Sequence, residues 1–314
     1  MIDIIIPAYN ALETLDDTLY SIAYQSMVDK INVYLVDDAS TCNYDKLIHK
    51  FEKLMNIKLL RYDKNSGPGY AREYGINNSY GKYIVFIDAD DSFYDPFSIE
   101  NLYNKMEETN ADMLVTNFSE ETFQGYFIHE LNYTWFHGKI YRRSFIENND
   151  IHINSTRKDE DEGFNQLCYI ISNNICYEPI VTYFWRNNRK STTRHYNEYN
   201  QDSMFDYAYN IMYAVKEAFK CKNYDLYKID SLVYKALVYV YFLYLEYPND
   251  FKFNKFNDSL VYLKDIYKKT SLKEEDKSLM YKGQFDACAN QVMMKKIINP
   301  SILFDDFLEL IGKE

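Results

Sequence analysis

The sequence predicts an α/β protein with a mostly parallel, doubly wound sheet, followed by a helical C-terminal region. In its first part, short β-branched runs such as 3–7 (DIIIP) alternate with helical patterns whose apolar residues recur at spacings of three and four. This alternation is typical of parallel strands joined by crossover helices. From about residue 199 onward the pattern is helical. We therefore expect two domains, 1–197 and 198–314.

Each predicted strand is a β-branched or aromatic run that ends at a polar turn, and each predicted helix has an apolar stripe. The predicted strands are 3–7, 31–36, 57–62, 83–87, 113–117 and 181–185. The predicted helices are 12–23, 44–54, 69–77, 99–109, 142–148, 159–172, 203–219, 228–245, 259–268, 274–298 and 303–311. After Tyr126 the pattern becomes irregular, and no internal repeat is visible.

Composition excludes two classes of partner and predicts a compartment. The net charge of -12 leaves no basic stripe for a phosphate backbone, so general nucleic-acid binding is not expected. The longest apolar run, 236–245, is short of the roughly 20 residues that a membrane span needs. The five cysteines are odd in number and lack CxxC spacing, and no secretory signal precedes the first strand. These features predict reduced thiols in a cytoplasmic protein.

An acidic turn, 88–91 (DADD), follows the strand 83–87. In a doubly wound sheet, ligands bind beyond the carboxyl ends of the strands. Three carboxylates within four positions repel one another unless a cation offsets them, and Mg²⁺ or Mn²⁺ shared with a diphosphate would do so. The alternative is a solvated acidic turn with a helix cap at Asp91 or Ser92.

The glycines exclude two common nucleotide-binding loops. The first strand-to-helix turn, 7–14 (PAYNALET), has no glycine, and no GxxxxGK[ST] motif is present. The segment 67–69 (GPG) can instead begin a helix whose Arg72 faces the strand-end carboxylates or the phosphates. Arg72 could equally be a surface residue at a helix start.

A second acidic group, 159–162 (DEDE), begins a predicted helix. Asp161 falls on the inward stripe of that helix, three residues before Phe164 and seven before Cys168. A carboxylate there could act as a general base on an acceptor hydroxyl. It could also simply stabilise the helix dipole.

Five motifs together resemble the family 2 glycosyltransferases with the GT-A fold, in order and spacing as well as in letters. They are PAYN at 7–10, VDDAS at 36–40, NSGPGYAR at 65–72, IDADD at 87–91 and DEDEGFN at 159–165. The resemblance covers roughly residues 1–195.

The resemblance implies a nucleotide-sugar site and the role of each residue in it. Those expected to bind the nucleotide sugar are Pro7, Tyr9, Asp38, Asn65, Arg72, Asp88, Ala89, Asp90 and Arg189. Asp88 would approach the ribose and the metal, Asp90 would be the metal ligand, and Asp161 of the Glu160–Asp161 pair would be the catalytic base. The metal would be Mn²⁺ or Mg²⁺.

The acceptor side and a basic loop are also implied by the resemblance. Trp135, His137 and Lys139 lie in a segment similar to the family's acceptor-side strand, although His137 could instead make a structural hydrogen bond. Segment 185–193 resembles a flexible loop that closes over the diphosphate. A cation there would stabilise the leaving group, and besides Arg189 the candidates are Arg186 and Arg194.

The expected function is an inverting transfer of a hexose or N-acetylhexosamine from a UDP-sugar to a hydroxyl of a glycan, a cell-surface polymer or another acceptor. The alternative is a catalytically silent module that binds a nucleotide sugar or glycan. A nucleotidyltransferase would begin with a glycine-rich loop after the first strand, and PAYN does not fit one. The helix 228–245 is apolar on nearly every face, which predicts deep burial or a homo-oligomer interface.

Overall fold

A computed structural model describes residues 1–156, 158–188, 201–248, 251, 253–287, 297–298 and 300–313, and for 201–204 and 254–257 only the backbone. Arg189 and Arg194, two of the three arginines considered for the basic loop, lie outside the described residues. The chain divides into two compact units, unit 1 (Met1–Tyr199) and unit 2 (Asn200–Glu314).

The first half of unit 1 has the predicted strand–helix alternation. Its elements are β1 (Ile2–Ala8), α1 (Leu12–Ala23), β2 (Ile31–Asp37), α2 (Asp45–Phe51), β3 (Asn56–Arg61), α3 (Pro68–Asn77) and β4 (Tyr83–Phe86). β1 pairs in parallel with β2 and β4, and β2 pairs in parallel with β3. β1 is covered on both faces, so Ile4, Ile5 and Ile6 are all fully buried.

The second half of unit 1 adds antiparallel pairs that the sequence pattern did not predict. Its elements are β5 (Ser92–Phe93), α4 (Ser98–Thr109), β6 (Met113–Thr122), β7 (Gly125–His129), β8 (Lys139–Arg142), α5 (Arg143–Asn148), α6 (Glu160–Ile171) and β9 (Ile175–Trp185). β8 pairs antiparallel with β4 and β6, and β9 pairs parallel with β6 and antiparallel with β5. The strand order is β3-β2-β1-β4-β8-β6-β9-β5, with β7 paired to β6. The predicted α/β class with a helical C-terminal region is confirmed.

Unit 2 is helical. Its elements are α7 (Gln201–Ala218), α8 (Leu226–Glu246), α9 (Phe253–Tyr267), α10 (Glu274–Ala287) and α11 (Phe304–Leu310). α8 begins at a cap in which the Asp225 carboxylate accepts a hydrogen bond from the Lys228 backbone N–H over 3.1 Å. Val233, Leu237 and Val240 of α8 are fully buried. Deep burial inside the unit thus accounts for the apolar faces of α8, and oligomerisation stays a prediction.

Two further sequence expectations concern this chain as a whole. Among the helices of the described residues, none combines the length and the apolar character needed to cross a membrane. Cys42, Cys168, Cys176 and Cys221 are free thiols.

Candidate functional site

The candidate site lies at the carboxyl ends of the parallel strands β1, β2 and β4. Tyr9, Asp38 and Asp88 follow these three strands, and the register of the sheet brings the strand ends to one edge. This is where doubly wound sheets bind ligands. Pro7 is half-buried at the end of β1, and the Tyr9 side chain is 53% exposed, so its ring is available to a ligand.

Asp38 holds the loop that precedes α3. Its two carboxylate oxygens accept hydrogen bonds from the backbone N–H groups of Ser66 (2.6 Å) and Gly67 (2.9 Å). The Asn65 side-chain amide donates to the Asp38 carbonyl oxygen over 3.2 Å. Gly67 has φ 88°, a left-handed conformation that favours glycine. Asp38 and Asn65, both expected to bind the nucleotide sugar, are therefore neighbours.

Arg72 joins the two acidic groups that the sequence singled out. The buried Arg72 guanidinium donates to the Asp88 carboxylate over 2.6 Å and also contacts the carboxylate of Glu160. It lies 4.8 Å from the centre of the Phe136 ring. Arg72 thus faces a strand-end carboxylate, one of the two orientations that the sequence predicted, and its role in binding the nucleotide sugar stays a prediction.

A close approach of two helix starts makes this contact possible. A Cβ atom on Gly69 of α3 would lie 2.3 Å from the Asn154 carbonyl oxygen and 3.2 Å from Cβ of Glu160. Glycine at this position therefore lets the first turn of α3 meet the first turn of α6. The contact between Arg72 and Glu160 joins residues 88 positions apart in sequence, so no local periodicity predicts it.

The acidic turn after β4 contains carboxylates in different electrostatic environments. Burial alone would raise the pKa of Asp88, but the Arg72 cation and the contact with His137 outweigh it and lower that pKa. Burial raises the pKa of Asp91, and repulsion from Asp90 and Asp88 raises it further. Asp88 is therefore the anionic member of the turn that faces the cation.

Asp91 is tied to β9 and to the chain that follows it. The hydroxyl of Tyr183 donates to Asp91 over 2.6 Å, and the Arg186 backbone N–H donates over 2.9 Å. The Asn188 amide donates to Asp90 over 2.7 Å. Tyr183 and Asn188 are functional-site neighbours that no sequence motif singled out; their one signal was their position at and after a predicted strand end.

Asp88, Asp91 and His137 form a cluster that fits a divalent cation. Their ligand atoms all lie within 4.8 Å of one another, and Nε2 of His137 is 3.9 Å from a carboxylate oxygen of each aspartate. The buried Nδ1 of His137 has no hydrogen-bond partner among the described residues. The two carboxylates suit Mn²⁺ or Mg²⁺, and the imidazole is a ligand that divalent transition metals accept. The predicted ligand Asp90 is outside this cluster, and its role as a ligand stays a prediction.

The predicted base lies at the start of α6. Glu160 is buried against Arg72, and Asp161 is half-buried, with one carboxylate oxygen accepting the Glu162 backbone N–H over 2.8 Å. Burial raises the pKa of Asp161, and the negative charges of Glu160 and Asp159 add to the effect. A carboxyl with a raised pKa is a stronger base once it is deprotonated.

Lys139 fixes the predicted acceptor-side segment. Its buried ammonium donates to the carbonyl oxygens of Trp135 and, over 3.3 Å, His137. Burial lowers the pKa of Lys139 to about 7, although Asp161 and Glu162 oppose that shift. Lys139 thus holds the segment that carries His137 against Asp88.

Comparison with known proteins gives the family and the fold of this chain. The sequence profile "Glycosyl transferase family 2" matches residues 3–157. TarS of Staphylococcus aureus, a poly(ribitol-phosphate) beta-N-acetylglucosaminyltransferase, is 27% identical over 203 residues, which cover 60% of this chain and 35% of TarS. The chain therefore spans about a third of the length of this curated relative.

Two solved structures share the fold. The crystal structure of S. aureus TarS 1–349 in complex with UDP-GlcNAc matches with a TM-score of 0.71 and 17% identity, over 95% of this chain and 91% of that chain. The mannosyltransferase PcManGT from Pyrobaculum calidifontis, in complex with GDP-Man and Mn²⁺, matches with a TM-score of 0.57 and 15% identity, over 100% and 88% of the two chains. At these identities the structures establish a shared GT-A-like fold, and with the sequence match they lead to one conclusion: the chain belongs to glycosyl transferase family 2.

Proposed function

We propose that this chain is an inverting glycosyltransferase that moves a hexose or N-acetylhexosamine from a UDP-sugar to an acceptor hydroxyl. The observation that carries the proposal is the contact of Arg72 with both Asp88 and Glu160. It joins the acidic turn expected to hold the nucleotide sugar to the helix start that bears the expected base. UDP as the nucleotide is supported by the TarS complex with UDP-GlcNAc.

The reaction proposed is a single displacement. The Asp161 carboxylate accepts the proton of the acceptor hydroxyl, and the hydroxyl oxygen forms a bond to the anomeric carbon of the donor sugar. The bond between that carbon and the diphosphate oxygen breaks, and UDP leaves with the bonding electrons. Attack from the face opposite the diphosphate inverts the anomeric configuration.

The donor site would be formed by residues at the carboxyl ends of β1, β2 and β4 and by the loop before α3. Pro7, Tyr9, Asp38 and Asn65 would surround the nucleobase, and Ala89 would line the site between two carboxylates. A Mn²⁺ or Mg²⁺ ion would be held by Asp88 with Asp90, or with Asp91 and His137, and when bound it would neutralise charge on the diphosphate. Support for Mn²⁺ comes from the PcManGT complex and from the cluster of ligand atoms.

The test is a screen for UDP release from a panel of UDP-sugars and other nucleotide sugars, with and without Mn²⁺. We expect metal-dependent UDP release from one donor by the wild type, and its loss in Asp90→Ala and Asp161→Ala. Calorimetry with the same panel distinguishes a transferase waiting for its acceptor from an inactive chain. The absence of both turnover and binding for every donor would refute the proposal.

A further inference from the structure

Strands β7 and β9, together with the loop that follows β7, carry a row of aromatic rings that begins at the candidate site and leads away from it. We call Phe127, His129, Trp135 and Trp185 the aromatic strip. Ring centroids are 4.8 Å apart for Phe127 and His129, 5.4 Å for His129 and Trp135, and 5.3 Å for Trp135 and Trp185. The strip is therefore continuous from the β7 hairpin inward.

The inner end of the strip meets the acidic turn. The Trp185 and His137 ring centroids are 5.3 Å apart, and Nε2 of His137 is 3.9 Å from Asp88. At the outer end, the Phe127 side chain is 56% exposed. A ligand that lies along the strip would thus reach the carboxylates expected to bind the donor.

The sheet register sets which side chains share this face. Glu120 pairs with Phe127 on one side and with Trp185 on the other, so these three residues form one row across the sheet. The neighbouring row contains Tyr126 and Glu121, which point to the opposite face because side chains alternate along a strand. The hairpin therefore has a strip face and an opposite face with an aromatic residue of its own.

The charge of the hairpin is acidic. Between Asn117 and Trp135 the chain has three glutamates, Glu120, Glu121 and Glu130, and neither lysine nor arginine. Glu120 lies 2.8 Å from Nε2 of His129 within the strip. Glu121 belongs to the opposite face, whereas Glu120 shares the strip face. Like charges across an interface are unfavourable, so a strip face with a glutamate and no lysine or arginine from the hairpin disfavours a polyanionic ligand.

We propose that the aromatic strip binds an uncharged oligosaccharide, the acceptor in the proposed transfer. The proposal names the substrate class, and its acceptor role depends on the proposed function. The C–H faces of sugar rings are apolar and pack on aromatic rings, while carboxylates such as Glu120 can accept hydrogen bonds from sugar hydroxyls. A partly exposed aromatic surface with a few polar groups is typical of a ligand-binding groove.

Intrinsic fluorescence tests the strip directly, because the only two tryptophans of the chain, Trp135 and Trp185, both belong to it. The probes are cellotetraose, maltotetraose and chitotetraose, with an oligomeric ribitol phosphate of similar length as the polyanion. We expect a saturable change in tryptophan emission with at least one neutral tetrasaccharide and weaker binding of the ribitol phosphate. Phe127→Ala should weaken binding about 3- to 10-fold, the worth of one aromatic contact.

The matched control is Tyr126→Ala, an exposed aromatic residue of the same hairpin on its opposite face, and it should bind the saccharide as the wild type does. A stronger response to ribitol phosphate than to every neutral saccharide would overturn the proposal. So would the absence of any saturable change, or an equal loss in both variants.

UDP release without acceptor is measured in parallel: if it occurs while no neutral saccharide binds, the strip proposal fails and the proposed function stands. If the chain binds a neutral saccharide but neither binds nor hydrolyses any donor, the strip is a saccharide-binding surface and the proposed function fails.

Discussion

The Arg72 guanidinium donates to the Asp88 carboxylate over 2.6 Å, and the burial of Arg72 makes this contact a determinant of stability as well as of the site. Burial alone would lower the pKa of Arg72, but Asp88, Glu160 and Asp161 raise it above its usual value. The cation is therefore permanently charged and offsets the carboxylates around it.

Replacing Arg72 by methionine should destabilise the protein strongly. Removing one partner of a buried ion pair leaves the other charge uncompensated and costs about 3–5 kcal/mol. Arg72→Lys should have a smaller effect, because it keeps the charge but loses the planar fork that reaches both carboxylates. Urea denaturation measures both variants. Lys50→Met, which breaks the exposed pair with Asp16, is the control and should leave the midpoint unchanged; an equal shift in Lys50→Met and Arg72→Met would contradict the assignment.

Asp161→Asn should lower kcat by about 10²- to 10⁴-fold, the usual contribution of a general base. Because burial and the charge of Glu160 raise the pKa of Asp161, the base form is lost as pH falls through a value above the ordinary aspartate pKa of about 3.9. The wild-type rate should therefore fall as the pH is lowered, with a midpoint above the ordinary aspartate value of about pH 4. A kcat–pH profile of UDP release measures it. Glu52→Gln, an exposed carboxylate of the α2 end, should keep the wild-type profile, and an unchanged kcat in Asp161→Asn would remove this residue as the base.

Gly69→Ala should disturb the junction of α3 and α6. The added Cβ would lie 2.3 Å from a backbone oxygen, which cannot move as a side chain does. Overpacking of this kind costs about 1–3 kcal/mol, and the separation of Arg72 from Glu160 should reduce turnover as well.

The control is Gly283→Ala in α10, where a Cβ meets nothing within 4 Å. Because alanine is favoured over glycine inside a helix, Gly283→Ala should stabilise the protein by about 0.5–1 kcal/mol. Thermal and urea unfolding compare the two, and a tolerated Gly69→Ala would show that the two helix starts can separate freely.

How far the sequence predicts the structure depends on the distance over which the signal acts. The alternation from β1 to β4 was predicted with bounds close to the observed ones, because each strand and helix has its own periodicity. The β7 hairpin was not predicted, because nearly all residues of Gly125–His129 are exposed. A strand without a buried face does not show the alternation of apolar and polar residues. β9 was predicted only in part, because Pro179 interrupts its pattern.

The candidate site was predicted as a set of residues but not as a set of contacts. The strand-end carboxylates and Asp161 followed from motif spacing. The pairing of Arg72 with Glu160 depends instead on Gly69 and on the path of the chain between two distant helices, which local patterns do not encode. The hydrogen bond of Tyr183 with Asp91 arises in the same way from the order of strands in the sheet.

Lys139→Met should change the pH dependence of stability in a defined direction. In the folded protein burial lowers the pKa of Lys139 to about 7, with Asp161 and Glu162 facing it, whereas in the unfolded chain the pKa is about 10.4. Between these values the unfolded state holds a proton that the folded state has released, so the free energy of unfolding rises with pH by up to about 1.4 kcal/mol per pH unit. Below pH ~7 the lysine is protonated in both states and adds no slope.

Urea denaturation between pH 6 and pH 10, with a chelator present, measures the free energy of unfolding of the wild type and of Lys139→Met. The difference between the two at each pH isolates the contribution of Lys139. Lys235→Met is the control because this side chain is exposed in the fold. A difference between wild type and Lys139→Met that stays constant with pH would mean that Lys139 remains protonated in the fold, with Asp161 and Glu162 balancing its charge.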